Sequence, residues 1–152
     1  MASKGQMTGM LGVYLVAAEL SRLGFIVSPT SRSAAGADLL VTDQECRKAW
    51  SVQVKTNKKA ANFWLLSTRA ARTRSDSHIY VFVNIGEKDR PEYLVVPSHH
   101  VAANVVTFTS SKGTVWYSFS RDSRLSDDEG WELFGDPHVS VDAGEVAEEI
   151  PN

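Results

Sequence analysis

Three features of this 152-residue sequence predict a mixed α/β domain with a central sheet flanked by helices. Apolar residues recur at helical spacing near the start. Two short extended runs follow, separated by turn chemistry. Later, a near-continuous apolar stretch meets a second one across a charged turn.

Met10, Val13, Ala17 and Leu20 recur at spacings of three and four, which predicts a helix over 9–23 with Gly24 as its stop. Phe25 to Ser28 reads as a strand ended by Pro29, and Thr30 to Gly36 as a small-residue loop. Residues 36–41 and 51–56 read as two strands around the turn chemistry of Asp43-Gln44-Glu45. A basic loop at 58–62 leads to a strand at Phe63–Leu66. Thr68 to Asp76 reads as a helical turn or a loop. Ile79 to Ile85 predicts a strand buried on both faces, with Tyr93–Val96 as its hairpin partner. Ser98 is expected to cap a short helix reaching about Val106. Val115–Phe119 reads as a strand and Asp127–Phe134 as a short helix. The expected organisation is a single domain over 1–135. Residues 136–152, acidic and poor in large apolar residues, are expected to form a weakly ordered tail.

Composition bounds the function classes. With 43% hydrophobic and 22% charged residues the chain reads as an ordinary globular protein. A single cysteine, Cys46, excludes an internal disulfide framework and fits a reducing compartment. The apolar run Met10–Ala18 is too short to span a bilayer. It weakly imitates a signal peptide, but its spacing and the Glu19 and Arg22 that follow favour an amphipathic helix, so a cytoplasmic protein is expected. The net charge of −2 hides an asymmetry: residues 1–75 hold eleven Lys/Arg against four Asp/Glu, and residues 76–152 five against fourteen. Cys46 to Ser75 carries eight basic residues and no acid. Such a block could track a phosphate backbone or be an ordinary solvated surface.

The polar residues of the hairpin are the chemical focus. Alternation puts Ser51, Gln53 and Lys55 on one face and Val52 and Val54 on the other. A turn centred near Glu45 and Cys46 places Asp38 opposite Gln53, so a carboxylate, an amide oxygen and an ammonium converge. That is a seat for a divalent cation and a water beside a phosphate.

In their order, a helix ending in Gly24-Phe25, Gly36-Ala37-Asp38, Gln53-Val54-Lys55-Thr56, Tyr80-Val81-Phe82-Val83 and Val95-Val96-Pro97-Ser98 resemble the PD-(D/E)XK nuclease superfamily. The likeness spans roughly residues 5–106 and is closest to archaeal-type Holliday junction resolvases and to the superfamily's Gln-x-Lys branch, which includes group I intron homing endonucleases. It implies a restriction-endonuclease-like core, in α-β-β-β-α-β order, that hydrolyses DNA phosphodiesters with Mg²⁺ or Mn²⁺. It further implies catalytic roles for Asp38, Gln53 and Lys55. Asp38, Gln53 and the carbonyl of Val54 would be metal ligands, and Lys55 would hold the attacking water and stabilise the developing charge. The implied partner is duplex or branched DNA rather than a membrane. A homodimer would suit cutting two strands, though no stretch specifies an interface.

Similar sequences carry a Glu in the first helix where this chain has Val13. Glu19 is no substitute, lying about 240° around and about 9 Å along a helix from Val13. Phosphate-contact candidates are Ser31, Ser33, Lys58, Lys59, Arg69, Arg72 and Arg74. Each has a plainer reading. Asp38 alone suits a turn, Lys55 a charged surface, and the serines a loop. Trp64 suits packing, and His99-His100 lack metal-ligand spacing. Two alternatives stand beside the nuclease: a DNA-binding protein with decayed catalysis, and a defence or immunity-type interaction protein on the same scaffold.

Overall fold

The computed structural model describes residues 1–31, 36–87 and 90–138. Helix α1 spans Lys4–Arg22, starting before the expected Gly9. Ser3 and Gln6 form a capping box: Ser3 Oγ accepts from the Gln6 N–H at 3.2 Å, and the Ser3 N–H donates to Gln6 Oε1 at 2.8 Å. That reciprocal pair satisfies two otherwise orphan donors and extends the helix across the weak formers Gly5 and Gly9. Gly24, at φ +100°, stops it as its sequence suggested.

Five strands form the central sheet, ordered β1-β2-β3-β5-β6: β1 Ile26–Pro29, β2 Leu39–Thr42, β3 Ala49–Asn57, β5 His78–Asn84 and β6 Glu92–Pro97. All neighbours are antiparallel except β3 and β5, which run parallel and make the sheet mixed. One face packs on α1, with Val16 and Leu20 against Val41, Val52, Ile79 and Val81. Gly12 permits a close approach there, because a Cβ would fall 1.8 Å from Thr56 Oγ1 on β3.

A second, three-stranded sheet belongs to the opposite half of the core, in the order β4-β8-β7: β4 Phe63–Leu66, β7 Val106–Thr109 and β8 Val115–Ser120. Trp64 and Phe119 are buried with Tyr80 and Phe82, and the Phe82 and Phe119 rings stack at 4.8 Å. Trp64 therefore packs, and its Nε1 donates to the Val83 carbonyl at 3.0 Å. Helix α2, Ser98–Ala103, adds Val101 to this cluster.

The restriction-endonuclease-like core is present, with local differences from the expected order. The second helical position is a single 3-10 turn, Thr68–Ala71, preceded by β4. Phe63–Leu66 pairs with β8 rather than joining the central sheet, so these pieces make the crossover between parallel β3 and β5. Ser98 is not a helix cap. Pro97 occupies that position, and buried Ser98 Oγ donates to the Ser75 carbonyl at 2.8 Å and accepts from its N–H at 2.9 Å. Helix α2 stops at Ala103 rather than Val106, because Val106 starts β7 and pairs with Ser118. The helix expected at Asp127–Phe134 is a 3-10 turn over Trp131–Phe134, entered through Gly130 at φ +92°. Pro137 packs against Gly24, and its carbonyl accepts from the Gln44 N–H at 3.0 Å. The rest of the expected tail, 139–152, lies outside the described residues. No helix among the described residues is long and apolar enough to cross a membrane.

Candidate active site

The site forms where β3 outruns its neighbour. Pairing with β2 ends at Leu39 opposite Val52, while pairing with β5 continues to Asn57. The turn between β2 and β3 places Cys46 at φ +55° and closes with the Asp43 N–H donating to the Lys48 carbonyl. This is the register the sequence suggested. The Asp38 N–H donates to the Val52 carbonyl at 2.8 Å, and Asp38 stands across from Gln53.

Beyond that point the edge of β3 has lost its strand partner, and the Asp38 carboxylate replaces it. Asp38 Oδ2 accepts from the Val54 N–H at 2.8 Å and from Gln53 Nε2 at 2.6 Å. A carboxylate only accepts, so the Gln53 amide must turn its NH₂ toward Asp38, leaving its oxygen available elsewhere. Alternate residues of a strand aim their backbone groups the same way, so the Val54 carbonyl lies on this free edge with its N–H. Among the described residues no hydrogen bond reaches Asp38 Oδ1.

Asp38, Gln53, Val54 and Lys55 line a cleft of about 480 Å³. Gly9, Met10 and Val13 of α1 form one wall, and Pro29, Thr30 and Ser31 another. Thr30 ties that second wall down: its N–H donates to the Asp38 carbonyl at 2.9 Å and its hydroxyl to the Ala37 carbonyl at 2.6 Å. Burial raises the Asp38 pKa above its ordinary value, while the Val54 N–H and the charge of Lys55 pull it back.

Of the other expected residues, Val13 lies in the cleft wall and Glu19 pairs with Arg22 at 2.9 Å. Ser31 lines the cleft, and Ser33 lies outside the described residues. Arg69 lies against the loop before Asp38, its Nη1 2.7 Å from where a Gly36 Cβ would sit. Lys58, Arg72 and Arg74 are exposed, and Arg74 donates to the His99 carbonyl at 3.3 Å. Lys59 instead lines a separate cleft that contains Glu87, Glu92 and Glu129.

Sequence reasoning missed the neighbours contributed by β5. Parallel register sets Tyr80 beside Gln53 and His78 beside Ser51, with Ser51 Oγ and His78 Nδ1 2.7 Å apart. Burial, then the charge of Arg69, lowers the His78 pKa, partly offset by its bond to Ser51. Burial raises the Tyr80 pKa, and Arg69 opposes that rise. The apolar character of residues 79–85 signalled a buried strand but could not reveal its register against β3.

Among the described residues no group of three His, Cys, Asp or Glu side chains could hold a metal. The oxygens at the fork are one carboxylate, one carboxamide and one carbonyl. That set suits a hard cation that keeps several waters and takes further oxygens from a phosphate substrate, and it does not suit zinc.

No family model matches the sequence, and no curated protein matches it. Among solved structures, the chain is similar to Hjc, a Holliday junction resolvase from Archaeoglobus fulgidus, an archaeal hyperthermophile. Identity is 13% and the TM-score 0.52, over 84% of this chain and 96% of the resolvase. At that identity the likeness establishes the fold, and the chemistry has to be argued from the fork of β2 and β3.

Proposed function

We propose that this protein is a PD-(D/E)XK-type endonuclease that hydrolyses DNA phosphodiesters in the presence of Mg²⁺ or Mn²⁺, with weak ion capture. The observation that carries the reading is the convergence of Asp38, Gln53, Val54 and Lys55 on one cleft at the end of a strand pairing. Asp38, the Gln53 amide oxygen and the Val54 carbonyl would hold the ion. When bound, it would polarise the scissile phosphate and acidify a water. Lys55, which lines the same cleft, would hold the attacking water and offset negative charge as it develops on phosphorus. Arg69, against Gly36, and Ser31, in the cleft wall, would position the backbone phosphate. Val13 leaves a single carboxylate facing a divalent ion, so capture is weaker than with two.

Nicking of supercoiled plasmid in Mg²⁺ or Mn²⁺ tests this directly. Wild-type protein should nick, Asp38→Asn and Lys55→Ala should not, and both variants should keep salt-sensitive DNA binding. DNA binding without nicking by wild type would leave the second reading, a DNA-binding protein with decayed catalysis, which Val13 favours. Absence of both would leave an interaction protein on this scaffold. We further propose a cytoplasmic location, consistent with the exposed, unpaired thiol of Cys46.

A further inference from the structure

The cleft that holds Asp38 is two-sided in its chemistry. Asp38, Gln53 and Lys55 give part of its lining charge and hydrogen-bonding groups, while Met10, Tyr14 and Pro29 give another part apolar surface. Met10 and Tyr14 lie four residues apart on α1, so their side chains stand one above the other on the helix. Tyr14 is 58% exposed, and among the described residues it makes no hydrogen bond through its side chain and no ring contact. One exposed tyrosine is ordinary. Tyr14 is set apart by its company, because it borders the same space of about 480 Å³ as Asp38 and Lys55.

A phosphodiester needs the polar side of that space and has no use for the apolar side. A whole nucleotide uses both, since its phosphate is charged and its base has a flat π-face that stacks on aromatic rings. The volume is that of a small-ligand pocket. In a paired duplex, proteins reach the base edges through the grooves while the base faces stay stacked on their neighbours. A base that meets the Tyr14 ring must therefore be unpaired or turned out of the stack. We propose that the cleft seats one unpaired nucleotide beside the phosphate at the Asp38 fork, with its base stacked on Tyr14. The preferred DNA then carries an unpaired base at that point. This rests on the reading of the cleft as a DNA phosphodiester site. Tyr14 binds and selects, and it neither moves a proton nor holds the ion. Met10, one turn earlier, supplies an adaptable apolar neighbour. Every base has a π-face, so the selection is for pairing state rather than for sequence.

Fluorescence anisotropy in EDTA tests this without cleavage. Two probes are compared at one salt concentration: a fully paired duplex, and the same duplex carrying one bulged 2-aminopurine. Wild type should bind the bulged probe about tenfold tighter, the order that one base stacked on an aromatic ring supplies, and should quench its fluorescence. Tyr14→Ala, which puts the best helix former at an exposed helical position, should fold, bind the two probes alike and leave the 2-aminopurine unquenched. Tyr14→Trp should restore both the preference and the quenching. Leu11→Ala, exposed on α1 but outside the cleft lining, should behave as wild type. Equal binding of the two probes by wild type overturns the proposal, as does a preference that survives Tyr14→Ala, or binding of neither probe. Plasmid nicking without a preference for the bulge would sink this inference alone. A Tyr14-dependent preference in a protein that nicks nothing would keep it and sink the hydrolytic reading.

Discussion

Val13→Glu is the substitution that interrogates the fork most directly. Val13 lies in the cleft wall with Asp38, on the buried side of α1, and also packs against the core cluster of that face. Two opposing effects follow. Without metal, a second carboxylate meets Asp38, whose carboxyl is already raised by burial, and like charges disfavour ionising both. Together with lost apolar packing this should cost about 1–3 kcal/mol. With Mg²⁺ the sign reverses. Unit charges 4 Å apart attract by about 1 kcal/mol in water and about 4 at an effective dielectric of 20, and this open cleft lies between those limits. A tenfold to hundredfold tighter ion is therefore expected. The assay is thermal unfolding of wild type and variant in EDTA and in Mg²⁺. Val13→Glu should melt lower in EDTA and gain about 3–6 °C more than wild type from saturating Mg²⁺, the linkage expected of tenfold tighter binding. Plasmid nicking should rise in parallel. A folded variant with no extra gain from Mg²⁺ would refute the placement of Val13 beside the ion.

Three further expectations concern the framework. Asp38→Asn retains an acceptor for the Val54 N–H while removing the buried charge. Because the folded-state pKa is raised, the penalty of ionising Asp38 is full above that folded value. It fades as pH falls toward the unfolded value. Asp38→Asn should therefore be more stable than wild type at neutral pH in EDTA, with the difference vanishing in acid, as urea titrations at several pH values would show. Gly12→Ala drives a methyl into Thr56 and should destabilise by about 1–3 kcal/mol, whereas Gly12→Ala with Thr56→Ala should lose much less than the sum of the single changes. Trp64→Phe removes the indole N–H that adds a side-chain bond to the Val83 carbonyl, together with part of a buried ring, and should cost about 1–3 kcal/mol in the same titration.

What could be read from letters, and what could not, divides along physical lines. Hairpin register was legible because side chains alternate with period two and the turn fixed its centre, so Asp38 opposite Gln53 followed from counting. Helix α1 was legible in type but not at its start, because Gly5 and Gly9 masked a capping box visible only as Ser3 and Gln6. Long-range pairing was not legible. Nothing local says that Phe63–Leu66 belongs with Val115–Ser120, or that β5 lies parallel to β3 and sets Tyr80 beside Gln53. The same gap hid that Lys59 lines a cleft with Glu87, Glu92 and Glu129 while Arg69 lies against Gly36.

The contacts at Asp38 also explain why a sheet edge, and not a preformed cage, is where this chemistry would arise. An edge strand that loses its neighbour leaves an N–H and a carbonyl unpaired, and the fold must answer them. Asp38 answers the N–H of Val54 with one oxygen, which fixes the carboxylate whether or not an ion is present. Its position therefore comes from the backbone of β3, not from a ring of other acids. This lets the fork keep its shape with Val13 and Gln53 where acids could stand. What those replacements remove is charge, and with it the affinity for a divalent ion, rather than the arrangement that would receive one. Val13→Glu and Asp38→Asn separate those two quantities, since the first adds charge to a fixed frame and the second removes it while keeping an acceptor for the strand edge.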